Sequence, residues 1–249
     1  MRTSAHLPNS VAAKLSVTKS VSENCRRSRP SQSPAPMRYF DALCAAFGPQ
    51  HWWPGRSRFE IIVGAILTQN TSWKNVEAAI RNLRTESLLT PGAMERVPVP
   101  KLARFIRASG YFRQKAKKLK AFTSFLFKVH HGSVVRMFRT PTSALREQLL
   151  AIHGIGPETA DSILLYGGNH PVFVVDAYAR RILERHNLAT PKQSYEELRC
   201  FFESSLPSDA QLFNEYHALI VETGKQYCRK SQALCSECPL KSFLPAGAA

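Results

Sequence analysis

The stretch LLAIHGIGPETADSILLYGGNHPVFVVDAYARRIL, residues 149–183, decides how the chain is read. Leu149, Ile152, Ala160, Ile163 and Leu164 form one apolar face on either side of HGIGP, so the segment reads as helix, hairpin, helix. Gly154 and Gly156 flank Ile155 at the tip, which can pack or wedge. Glycine permits the positive φ of a tight hairpin and lets another backbone come close. Gly156 suits an N-cap and Pro157 the first helical position. The free amides and positive dipole end of such a helix start can hold a phosphate without reading sequence. A plain packing corner would carry the same letters. Beyond the loop YGGNHP lies the apolar run 172–175, the only strand-like patch, and then Asp176, which taken alone is an N-cap for AYARRILERH.

Working outward, the chain reads as mostly helical. MRYFDALCAAF, FEIIVGAILTQ and WKNVEAAIRNLR have apolar residues at helical spacing, with Thr71 or Ser72 available to cap the third. KLARFIRAS follows Pro100 and stops at Gly110, and YFRQKAKKLKAFTSFLFKVHHG is a long basic amphipathic helix closed by Gly132. Ser143 is the expected cap of ALREQLLAI, and further helices run through Glu222. The fold class is all-α.

The 249 residues carry a formal charge of +16, which favours a polyanionic partner, nucleic acid before others. No apolar run reaches the length of a membrane span. Residues 1–36 are rich in Ser, Pro and Arg, with six basic residues against the single Glu23. They read as a disordered basic tail, as an organelle transit peptide, or as sequence ahead of a true start at Met37. The six cysteines are unevenly spread, three of them crowded near the end, which suits a metal site better than a disulfide framework.

The hairpin followed by its loop and Asp176 resembles the helix-hairpin-helix element of the endonuclease III superfamily of DNA glycosylases. Asp176 lies 18 residues after Glu158, which is the family spacing, and the resemblance covers roughly residues 40–240. It implies two helical lobes with a DNA groove between them. One lobe is a six-helix barrel over 57–170 that ends in the hairpin. The other joins 38–56 with 171–249 and holds a C-terminal cysteine loop. It further implies that Gly154, Ile155 and Gly156 bind the DNA backbone and that Asp176 is catalytic. Breaking an N-glycosidic bond builds positive charge on the sugar, and a fixed carboxylate stabilises that charge and can activate water. The base must first be flipped out of the duplex.

Members that also cut the strand use a lysine nucleophile at the position of Glu158, and a carboxylate cannot form a Schiff base. The resemblance therefore points to a monofunctional glycosylase of base excision repair. HWWPGRSRFEIIVGAILTQNTSW, residues 51–73, is similar to the 3-methyladenine type. That similarity places Trp52, Trp53, Pro54, Trp73, Gln69 and Glu158 around the base. Indoles stacked on a flipped cationic purine gain dispersion and cation–π energy. Gln69 matches the place from which the superfamily fills the gap left in the duplex. The same letters also suit core aromatics and a polar helix end.

Cys228-x6-Cys235-x2-Cys238 matches three ligands of the superfamily's [4Fe–4S] cluster, whose fourth place is Leu244 here. A cluster with an exogenous ligand, a labile cluster, a zinc ion, and a cluster-free remnant all stay open, as does Cys200 as a distant fourth ligand. The function expected is excision of alkylated, 3-methyladenine-like bases from duplex DNA by a monomer in the bacterial cytoplasm. The alternatives are a bifunctional endonuclease III-like glycosylase and AP lyase, a non-catalytic helix-hairpin-helix DNA-binding protein, and a general polyanion binder.

Overall fold

In the computed structural model, the first described helix is α1 (Pro36–Phe47). The structure describes residues 36–50, 52 and 55–245. The expected basic tail lies outside the described residues apart from Pro36, and Trp53 and Pro54 also lie outside them. Helix follows helix: α2 (Arg58–Leu67), α3 (Trp73–Thr85), α4 (Pro91–Arg96), α5 (Val99–Phe105), α6 (Phe112–His130), α7 (Val134–Met137) and α8 (Thr142–Leu150). The hairpin leads into α9 (Pro157–Ser162), which continues as a π-helical segment, Ile163–Gly167. Then come α10 (Ala177–Arg185), α11 (Tyr195–Ser205) and α12 (Ala210–Gln226). No strand forms among the described residues, so the class is all-α. The run 172–175 is extended and fully buried but pairs with nothing as a strand.

Local chemistry explains most of these boundaries. Ser57 accepts from Glu60 N and Thr90 from Ala93 N, each satisfying an orphan amide. Ser194 and Glu197 close a reciprocal capping box on α11. One boundary differs from the sequence reading: α8 begins at Thr142 with Pro141 in the cap place, and Ser143 sits inside the first turn. Proline's fixed φ pre-sets the entry there.

The apolar side chains gather into two cores. One runs from Phe59 through the helices of the middle of the chain to Ile163, Leu164 and Val172. The other collects Tyr39 and Leu43 of α1 with Leu165, Tyr166, Phe173–Val175 and the inner faces of α10, α11 and α12. The π-helical segment is where the chain passes from one core to the other. Behind it, Arg146 of α8 binds Asp161 of α9 at 2.6 Å and Glu196 of α11 at 2.6 Å. Arg199 of α11 binds Glu196 and Glu203, and Glu203 accepts from Phe173 N. This network joins both cores beside the hairpin. Burial works against the charge of Arg146, but hydrogen bonds and attraction from Asp161 and Glu196 outweigh it and push its pKa up.

Candidate active site

Asp176 is the N-cap of α10. Its Oδ1 accepts from Tyr178 N at 2.9 Å and Ala179 N at 2.8 Å. Two backbone donors on one oxygen fix the carboxylate, and the side chain keeps 15% of its surface exposed. The second oxygen, Oδ2, lies 3.7 Å from Nε2 of His217 on α12. His217 Nδ1 is bonded to the Tyr166 hydroxyl at 2.6 Å. Trp52 stacks on the His217 ring at 5.5 Å between centroids and 14° between planes, and meets Tyr166 edge-on at 6.0 Å.

Glu158 stands in the first turn of α9. Its carboxyl keeps solvent contact, yet the protein packed around it strips much of its hydration. That desolvation, with the negative charge of Asp176 added, pushes its pKa up to about 7. Burial first, and then the charges of Asp176 and Glu158, raise Tyr166 well above the usual phenol range, so Tyr166 stays protonated. Desolvation lowers His217, with Asp176 opposing, and the imidazole is neutral. The site therefore sets the Glu158 carboxyl within the field of Asp176, and a buried Tyr–His pair under an indole stands beside Asp176.

The hairpin has the φ its glycine predicted, +85° at Gly154. Ile155 is 4% exposed and packs into the first core, so it is an anchor rather than a wedge. Gly156 is the N-cap of α9, and a Cβ built on it would meet nothing within 4 Å. That open face leaves room for close approach at a helix start. Gln69 holds the hairpin from the other side: its Nε2 donates to Gly154 O and Thr159 Oγ1, and its Oε1 accepts from Lys118.

The sequence-read residues thus separate. Asp176, Glu158 and Trp52 share one neighbourhood, while Gln69 belongs to the hairpin. Trp73 is half-buried against the first core, donates Nε1 to Glu77, and lines a separate cleft of about 310 Å3 with Arg56, Glu60 and Arg84. Tyr166 and His217 were missed from sequence. Each sits on an apolar helical face, where a polar aromatic reads as core, and the only local signal is that His217 interrupts such a face.

Cys228, Cys235 and Cys238 line one cavity, and Leu244 lines it too. Arg185 Nη1 donates to Cys228 Sγ at 3.1 Å. Cys200 is not among the cavity's lining residues. As the side chains stand, the cavity holds about 10 Å3, the room of one water. Among the described residues no group of three or more His, Cys, Asp or Glu is placed to hold a metal ion. The donor set therefore does not fit a four-thiolate cluster: three thiols are present, with an apolar side chain in the fourth place.

A carboxylate fixed at a helix start, near a glycine hairpin on an all-helical frame, is an arrangement that fits a DNA glycosylase. Comparison with known proteins agrees. The model of the HhH-GPD superfamily of base excision DNA repair proteins matches residues 63–208. A protein of Methanocaldococcus jannaschii classed as a DNA repair glycosylase is 47% identical over 208 residues, covering 83% of this chain and 94% of its own. Endonuclease III of Thermotoga maritima is 30% identical over 187 residues, covering 74% and 81%. Among solved structures, the 3-methyladenine DNA glycosylase of H. pylori bound to 1,N6-ethenoadenine is similar with a TM-score of 0.69 at 30% identity, over 78% of this chain and 98% of that one. An endonuclease III–DNA complex matches in fold, with a TM-score of 0.73 at 22% identity, over 85% and 94%. The chain belongs to the HhH-GPD superfamily of base excision repair DNA glycosylases.

Proposed function

We propose that the chain is a monofunctional glycosylase that hydrolyses the N-glycosidic bond of alkylated, 3-methyladenine-like bases in duplex DNA. The observation that carries this reading is Glu158: a carboxyl shares the neighbourhood of Asp176 where strand-cutting relatives need a nucleophilic amine. The 30% identity to a 3-methyladenine glycosylase over nearly all of that chain supports the substrate class.

In this reading the hairpin grips the backbone through the open face at Gly156 while the damaged nucleotide is turned out. Trp52 offers its indole to the flipped base. An N3- or N7-alkylated purine is cationic and lowers the proton affinity of a nearby carboxyl, so Glu158 ionises as the base arrives and balances its charge. Asp176 faces the sugar with the oxygen its cap leaves free. It stabilises the positive charge that grows as the base departs and orients the attacking water. No covalent enzyme intermediate forms, and the abasic strand stays intact.

A single-turnover assay on duplex DNA carrying 3-methyladenine, read with and without alkali, tests this. Free base, strand breaks only after alkali, and a collapse of rate in Asp176→Asn support it. Breaks without alkali would overturn the monofunctional reading, and retained duplex binding with no release of any alkylated base would overturn the substrate class.

A further inference from the structure

We propose that His217 is a positioning residue for Asp176, held by Tyr166 in the tautomer that aims an N–H at the free carboxylate oxygen; this rests on the glycosylase reading above. Four observations converge. The Tyr166–His217 bond is 2.6 Å long and buried. Among the described residues His217 Nε2 is buried with no hydrogen-bond partner, and it lies 3.7 Å from Asp176 Oδ2. Asp176 Oδ1 is already occupied by two backbone donors, so Oδ2 is the oxygen still to be oriented. Trp52 lies flat on the imidazole and fixes its plane.

The tautomer follows from charge. A neutral imidazole carries one N–H and one lone pair. With the lone pair on Nε2 it would face a carboxylate, which is repulsive. With the proton on Nε2 it attracts Oδ2, and Nδ1 then accepts from the Tyr166 hydroxyl. Both contacts are satisfied only in the second arrangement. The π-helical stretch of Ile163–Gly167 sets Tyr166 in this place, and such insertions recur at functional sites. A neutral donor steers the carboxylate without adding a positive charge that would oppose the developing cation on the sugar. The 3.7 Å gap closes to a hydrogen bond when DNA fills the site.

The test uses the 249-residue chain labelled with 15N-histidine, assigned by difference from His217→Gln. The free protein is expected to show His217 with a protonated Nε2 and an accepting Nδ1, unchanged over roughly pH 7 to 8. Binding of duplex DNA holding an uncleavable abasic analogue is expected to shift the Nε2–H signal. A protonated Nδ1, or titration within that window, overturns the proposal. In turnover, His217→Leu is expected to lose about 10- to 100-fold in kcat with KM nearly unchanged, and His217→Gln, whose amide can still donate, to recover part of it. Tyr166→Phe is expected to add a new ionisation to the pH profile. Full kcat in a folded His217→Leu also overturns the proposal. If wild type releases no alkylated base, the glycosylase reading fails by itself, while the tautomer and its response to DNA still decide this one.

Discussion

Gln69 Nε2 donates to the carbonyl of Gly154 at 3.1 Å, tying the end of α2 to a hairpin 85 residues further on. The same nitrogen donates to Thr159 Oγ1 at 2.9 Å, so both arms of the hairpin are held by one amide. Gln69→Ala is therefore expected to cost about 1–2 kcal/mol in urea unfolding. Hydrogen exchange should speed up most at the amides of residues 153–159. Unchanged exchange there would show that the hairpin is held by Ile155 alone.

Gly156 gives a contrasting expectation. A Cβ there meets nothing in the free protein, and its φ of −94° suits any residue. Gly156→Ala should leave the melting temperature unchanged while weakening duplex affinity about tenfold, because the methyl occupies the space a phosphate would enter. Isotherms at several salt concentrations read the loss directly. Equal affinity would remove the hairpin from the binding surface.

The Glu158 carboxyl titrates near 7 rather than its usual 4.5, through desolvation and the charge of Asp176. The folded state holds this proton more tightly than the unfolded chain does. Its contribution to stability is full below about 4.5 and is lost as pH rises through about 7. Glu158→Gln should flatten that part of the stability curve, measured by denaturation across pH 4 to 8. Wild type should also release a proton on binding a cationic base analogue at pH 6, and Glu158→Gln should not.

Arg146 ties the first core to the second by binding Asp161 on one side and Glu196 on the other, and Asp161 is fully buried. Arg146→Met should destabilise by about 3–5 kcal/mol, since it strands a buried carboxylate. Adding Asp161→Asn should recover a large part of that loss. A double-mutant cycle near zero would show that the Arg146–Asp161 bridge adds no coupling to stability.

Leu244→Cys supplies the missing thiol at the rim of the cysteine cavity. Purified without oxygen, this variant is expected to retain more iron and sulfide per chain than wild type, with stronger visible absorption. Equal contents would show that the fourth side chain does not limit binding.

Much of this was legible along the chain. Capping is a contact between residues two or three apart, so Asp176 as the N-cap of α10, and Gly156 with Pro157 at the start of α9, could be read directly. The helical class followed from apolar spacing. The pairings that shape the site span much greater separations. Tyr166 meets His217 across 51 positions, and Arg146 meets Glu196 across 50. The resemblance puts Gln69 and Trp73 in one pocket, yet Gln69 lies in the turn after α2 and Trp73 opens α3, and the two meet different surroundings.

What the sequence determined by itself is the chemistry at hand: two carboxyls at family spacing, glycines at a helix start, and three thiols with a leucine in the fourth place. Those depend on residue identity and on neighbours within a turn or two. Only the tertiary structure decided which oxygen of Asp176 its cap leaves open, how acidic Glu158 is, and that a neutral imidazole stands beside Asp176. These are matters of desolvation and of charges brought within a few ångströms by packing. No local pattern encodes them, because the partners approach only when two cores close around the π-helical segment that joins them.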